Sequence, residues 1–181
     1  MNGRTGVGAA ALLCALVLAG CTPGAAVTPS PTPSPTSATP TETAAARQER
    51  LDYAAAEKAY RTFRAEYGRV LRAGGAKEPT KVMKATAGGD YLEQLAEILE
   101  AYQGLGDRRM GQERIIYVRP GGYERDNLLI DVCEDSRRSR IVDRTGKQVG
   151  AGELRTASIT VRKVDGAWKL WSGRGEKVSS C

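Results

Sequence analysis

The 181-residue chain carries four cysteines, Cys14, Cys21, Cys133 and Cys181, and no histidine. Without histidine it lacks the usual general base near neutral pH and the usual metal ligand, which excludes Ser-His-Asp and Cys-His catalysis. The cysteines have no zinc-type spacing, so neither a metal nor a cofactor is expected. Among the carboxylates, Asp131 stands out because it interrupts the apolar run Leu128-Leu129-Ile130-Asp131-Val132-Cys133. Burial would raise its pKa toward that of a useful proton-transfer base. Strand alternation, the favoured reading, would instead turn it to solvent or to an arginine across a sheet. Arg137, Arg138, Arg140 and Arg144 cluster around an expected turn. They could meet phosphates of anionic lipids or wall polymers, or simply solvate the turn. Trp168 and Trp171 fall on opposite faces of one expected strand, so at most one of them belongs to a core.

Cys21 has a setting of its own. Arg4 supplies a positive charge near the start, residues 7–18 form an apolar run, and Leu18-Ala19-Gly20 ends in small residues before the cysteine. Residues 1–20 thus have the three parts of an export signal. The apolar run is too short to span a bilayer, which needs about 20 residues. Leu18-Ala19-Gly20-Cys21 resembles the lipobox of bacterial lipoproteins. The resemblance implies that the Cys21 thiol receives a diacylglycerol and that cleavage makes Cys21 the first residue. Each buried CH₂ contributes about 0.8 kcal/mol, so two or three acyl chains would hold the protein at the extracytoplasmic face of the cell membrane.

Residues 22–45 hold six of the eight prolines and show no apolar periodicity. Such a segment cannot bury enough surface to offset its ordering entropy and favours extended polyproline conformations. With Cys21 it forms an expected linker over 21–45, followed by one folded domain over 46–181. The 27 Lys and Arg exceed the 21 Asp and Glu. In a cytosolic protein that excess would suggest nucleic acid. Behind an export signal nucleic acid is not an expected partner, and anionic head groups or wall polymers fit better.

If Cys21 is acylated, Cys133 and Cys181 are the remaining thiols of the mature chain, in an oxidising compartment. An internal disulfide is the expectation, with two free thiols or an intermolecular bond as alternatives. Closing a loop with 48 residues of separation contributes about 4 kcal/mol in the chain-entropy account.

The elements that must position these residues divide into helices first and strands afterwards. Tyr53, Ala56, Tyr60, Phe63, Tyr67, Val70 and Leu71 share one helical stripe over residues 46–71, with Arg61, Arg64 and Arg69 assigned to the other side. A short helix is expected over 79–87. A stronger one, capped by Asp90, is expected over 91–103. Strands follow at 113–119, with Pro120-Gly121-Gly122 as a turn, then at 128–133, 139–143, 148–149 and 154–164. After the hairpin signal Asp165-Gly166, residues 168–178 return. This order describes an α+β domain with helices packed on one face of an antiparallel sheet.

Val132-Cys133-Glu134-Asp135-Ser136, Val142-Asp143 through Gly146-Lys147, Val164-Asp165-Gly166-Ala167-Trp168-Lys169 and the segment Val178 to Cys181 stand in an order that resembles exported NTF2-like lipoproteins. Their cone-shaped fold is shared with nuclear transport factor 2, ketosteroid isomerase and the SnoaL polyketide cyclases. The resemblance implies a curved sheet around the helices, a cavity at the cone's open end and, in family members, dimerisation through the sheet. Fold does not decide function. The expectation is a membrane-anchored, non-catalytic module that binds a small ligand or an envelope protein. The alternative is a cone-fold enzyme of the isomerase or cyclase type using Asp131 or another pocket carboxylate. A deep cavity with convergent polar groups would favour the enzyme, and a cavity filled by Tyr and Leu would favour the interaction module.

Overall fold

The computed structural model describes residues 42–181. Cys21, the expected leader and almost all of the expected linker lie outside the described residues. Three helices come first: α1 (Ala44–Ala73), α2 (Lys81–Thr86) and α3 (Gly89–Leu105). Seven strands follow: β1 (Arg108–Gly111), β2 (Arg114–Glu124), β3 (Asn127–Asp135), β4 (Ser139–Val142), β5 (Gln148–Ala151), β6 (Leu154–Val164) and β7 (Ala167–Lys177). The architecture is α+β, with helices ahead of antiparallel sheets, as the order of periodicities predicts.

Helix α1 begins at Ala44, two residues before the expected start, because Thr43 caps it by accepting a hydrogen bond from the Ala46 amide. It ends where Gly74 turns left-handed at φ 101°, a conformation glycine adopts without steric cost. Tyr60, Phe63, Val70 and Leu71 on its expected stripe are buried in the core. For α3 the cap is Gly88, not Asp90, which lies inside the first turn instead. The Trp171 indole covers the Gly88-Gly89 backbone so closely that a Cβ on either would stand within 3 Å of the ring, and these glycines let the helix start there.

Strands β2-β3-β6-β7 form one sheet and β1-β4-β5 a second. In β3, Leu128, Ile130 and Val132 enter the core beneath the helices with Ile159 and Val161 of β6 and Leu170 of β7. The residues between them turn to the opposite face. The expected turn at Pro120-Gly121-Gly122 is corrected: β2 runs on to Glu124 with a bulge at Pro120/Gly122, and the chain reverses at Arg125-Asp126. Proline is tolerated there because β2 is an edge strand. Asp165 (φ 51°) and Gly166 (φ 79°) make the tight β6–β7 hairpin that the dipeptide signals.

The two sheets are stretches of one ribbon. The β3–β6 pair continues past a kink as β4–β5. At the kink the Ser136 amide donates to the Glu153 carbonyl and the Gly152 amide to the Ser139 carbonyl. A Cβ on Gly152 would lie 1.9 Å from the Ser136 carbonyl oxygen, so the ribbon can bend this sharply only with glycine there. Beyond the kink, β4 pairs with β1, and the Arg144 guanidinium donates to the Gly104 and Leu105 carbonyls at the end of α3.

Candidate functional site

Past the point where the core residues close up, α1, α3 and the sheet diverge around a cavity of about 360 Å³. Helix α1 contributes Tyr60, Arg64 and Tyr67, and α3 contributes Tyr91, Leu95, Ile98 and Tyr102. The sheets contribute Arg109, Val132, Glu134 and Ile159, the β1–β2 connection contributes Glu113, and Gly173 and Gly175 add bare backbone along β7.

Two ion pairs stand in the wall. Arg64 meets Glu134 at 2.5 Å, and the Tyr60 hydroxyl donates to the same carboxylate at 2.6 Å. Arg109 pairs with Glu113, and all four of these charged side chains are largely buried. The Arg64 guanidinium also lies over the Tyr67 ring, 5.0 Å from its centroid, with Arg109 at 5.9 Å. Burial opposes the Arg64 charge, but the Glu134 carboxylate beside it more than compensates and holds the guanidinium firmly protonated. Burial first, and then the Glu134 charge, push the Tyr60 hydroxyl far above the ordinary tyrosine range. Burial raises Tyr91 and Tyr67 in the same direction. These phenols are therefore neutral hydrogen-bonding groups at any physiological pH.

Tyr102 differs from the others. It is 8% exposed, lines the cavity, and its hydroxyl finds no hydrogen-bond partner among the described residues. Leaving a buried hydroxyl unpaired costs about 1–3 kcal/mol.

Several residues singled out in the sequence lie elsewhere. Asp131 is out of phase with Leu128, Ile130 and Val132, so it occupies the opposite face of the sheet and does not line this cavity. There it accepts a hydrogen bond from the Ser158 hydroxyl, opposite Arg119 on β2. Strand alternation thus turns Asp131 away from this cavity, and on the other face it lines a groove with Tyr117, Ser158 and Arg174. The same alternation carries Glu134 into the cavity. Arg64, assigned to the solvent side, instead folds its long side chain back over Tyr67 and Glu134.

The arginine cluster is likewise divided. Arg144 caps α3, and Arg137 is held by Asp135, whose carboxyl those hydrogen bonds, with help from Arg114, hold far below the usual range. Arg138 and Arg140 are exposed and have no carboxylate partner among the described residues. Cys133, fully buried on the face that also carries Asp131, stands at disulfide distance from Cys181, with Cα atoms 6.3 Å apart. Trp168 is the core tryptophan, and its indole N–H donates to the buried Asp52. Among the described residues, no group of histidine, cysteine and carboxylate side chains could hold a metal ion, and no helix is long and apolar enough to cross a membrane.

No protein-family model and no curated protein matches the chain. Among solved structures, it is similar to the intermembrane-space region of the chloroplast protein ARC6, at 11% identity and a TM-score of 0.48, over 67% of this chain and 96% of that one. It is also similar to an NTF2-like family protein from Streptomyces avermitilis described as a dehydratase, at 16% identity and a TM-score of 0.43, over 73% and 99%. A Nostoc punctiforme protein of cystatin-like fold aligns at 18% identity and a TM-score of 0.31, over 76% and 95%.

Proposed function

We propose that the chain is a lipoprotein, anchored through acylated Cys21 at the extracytoplasmic face of the cell membrane, whose NTF2-like domain binds a small ligand without transforming it. The observation that carries the binding reading is the open cavity of about 360 Å³ itself, lined by tyrosine rings and by Leu95, Ile98, Val132 and Ile159. The anchor rests on the leader and Cys21 alone.

The criterion set out from the sequence divides in an unexpected way. The cavity is open and polar groups do converge in it, yet they converge on one another. Glu134, a carboxylate of its wall, is clamped by Arg64 and Tyr60. Its Oε1 is already engaged by both the Arg64 guanidinium and the Tyr60 hydroxyl. That arrangement supports binding over proton abstraction.

Native mass spectrometry of the full-length protein expressed in its own cell tests both halves. The expected mass is that of residues 21–181 plus acyl chains, carrying a small-molecule adduct. The adduct should be absent from Ile98→Trp, which fills the cavity mouth at a residue already 40% exposed. A wild-type protein that never carries an adduct, or one that the tryptophan does not displace, would refute the binding reading. An unacylated product would refute the anchor.

A further inference from the structure

The small sheet of β1, β4 and β5 has two faces, and the cavity uses one of them. Arg109 of β1 and Ile141 of β4 are Cα partners and turn inward, Arg109 to the cavity wall and Ile141 against the core. Alternation therefore turns Met110 of β1, its partner Arg140 of β4 and Ala151 of β5 outward. Val149, two residues along β5 from Ala151, shares that side, and all four side chains are exposed. Of the large apolar residues described, Leu105 and Val149 are the most exposed, at 61% and 54%, and Met110 follows at 42%. Leu105 ends α3, where the Arg144 guanidinium clasps its carbonyl, so it stands beside the β4–β5 turn. Apolar side chains scattered singly over a surface are ordinary, whereas several gathered at one end of a small domain mark an interaction site.

Cations stand among them. Residues 137–152 carry Arg137, Arg138, Arg140, Arg144 and Lys147 against a single carboxylate, Asp143. That carboxylate is turned into its own loop, where it accepts from the Thr145 amide and hydroxyl and from the Lys147 amide. Arg137 is neutralised by Asp135, and Arg144 is held by carbonyls, which leave its charge in place. Arg138, Arg140 and Lys147 are exposed and have no carboxylate partner among the described residues. Cations in excess favour an anionic partner, and bare apolar side chains favour a nonpolar phase. A soluble polyanion offers only the first. An anionic bilayer offers both in the right order, phosphates outside and hydrocarbon beneath. Its fluid surface also demands no fixed shape from long side chains that lack fixed partners.

We propose that the outer face of β1, β4 and β5 docks on an anionic lipid surface, with Arg138, Arg140 and Lys147 meeting headgroup phosphates and Met110 and Val149 entering the layer beneath. An acyl anchor at Cys21 would hold this face near a bilayer. Docking itself follows from the face, with or without acyl chains.

The face carries its own reporter. Beyond Met1 in the expected leader, the methionines are Met83, fully buried in the core, and Met110. The test is methyl NMR of the full-length protein, labelled at its methionine methyls, on nanodiscs doped with a nitroxide lipid. The discs are phosphatidylcholine, alone or mixed with phosphatidylglycerol. Phosphatidylglycerol should broaden the Met110 methyl and leave Met83 sharp, and phosphatidylcholine alone should broaden neither. Arg138→Gln/Arg140→Gln should raise the phosphatidylglycerol needed by about 25-fold, at about fivefold per cation. Val149→Thr, which keeps the strand's branched side chain, should raise it about fourfold through one lost buried methyl. An unshifted Met83 methyl reports that each variant is folded, and Arg125→Gln, at the β2–β3 turn of the other sheet, should change nothing. Equal broadening on both lipids, a Met110 methyl that stays sharp on phosphatidylglycerol, or broadening that survives Arg138→Gln/Arg140→Gln would overturn the proposal. So would a Val149→Thr without effect, which would assign the cations to a soluble polyanion. An unacylated product would sink the anchor and leave the Met110 result to stand by itself.

Discussion

A carboxylate persists inside a protein only where donors surround it, and Asp52, 6% exposed on α1, has a full set. Tyr123 donates at 2.8 Å, the Trp168 indole at 3.0 Å and Gln48 at 3.1 Å, with the Lys163 ammonium 3.9 Å away. Burial alone would raise its pKa, but the hydrogen bonds from Tyr123, Trp168 and Gln48, and then the Lys163 charge, outweigh it and hold the carboxyl below its ordinary value. A depressed carboxylate contributes stability that is fully present above the unfolded pKa and is lost as pH falls through the folded one. Asp52→Asn should therefore cost about 2–4 kcal/mol at neutral pH and flatten the acid limb of the stability curve below about pH 4, read by urea unfolding at stepped pH. Tyr102→Phe works the other way. Removing an unpaired buried hydroxyl should leave the ligand-free protein as stable as before, or more stable by up to about 1 kcal/mol in the same assay.

At the scale of elements, the two glycines of the β3–β6 ribbon make a contrast. Gly146, at φ 85° in the β4–β5 turn, has open space where a Cβ would go, so Gly146→Ala meets only backbone strain of about 1 kcal/mol. Gly152→Ala would drive a methyl into the Ser136 carbonyl and should cost about 2–3 kcal/mol or more, as overpacking does. Thermal melts of the two variants side by side check this. Much at this scale was legible in the sequence. The stripe on α1, the period of α3 and the Asp165-Gly166 hairpin rest on local rules, and local rules are visible in one chain. Strand β1 was not, because its four residues, Arg108 to Gly111, carry no alternation and are recruited by long-range pairing with β4. Arg64 was misplaced because a helical stripe locates a Cβ, whereas a long arginine can carry its charge back across the boundary. Glu134 was within reach: the period-2 pattern that turns Asp131 outward turns Glu134 inward, three residues on.

At the scale of the whole molecule, the expected covalent ties lie at Cys21 and at the pair Cys133 and Cys181. Cys133→Ser/Cys181→Ser should lose about 3–4 kcal/mol if the pair closes its loop as a disulfide, and non-reducing mass analysis of the wild type should find neither thiol alkylatable. Cys21→Ser should move the protein from the detergent phase to the aqueous phase in cloud-point partition, because acyl chains supply the membrane affinity. Arg138 and Arg140 remain candidates for contact with anionic lipid, and vesicles with and without phosphatidylglycerol, offered to an unacylated protein, measure that contribution directly.

The ribbon's kink bears on how the cavity opens. The wall carrying Arg109 belongs to β1, a four-residue strand held by β4, and β4 reaches the rest of the domain through Ser136, Gly152 and the Arg144 clasp on α3. The long strands β3 and β6 pair over nine residues, so their amides report global unfolding, whereas those of β4 and β5 can exchange through a local hinge. Deuterium uptake should therefore be fastest in residues 139–151, and an occupant bridging Tyr102 and the Arg109 wall should slow it there first, as a latch slows a door.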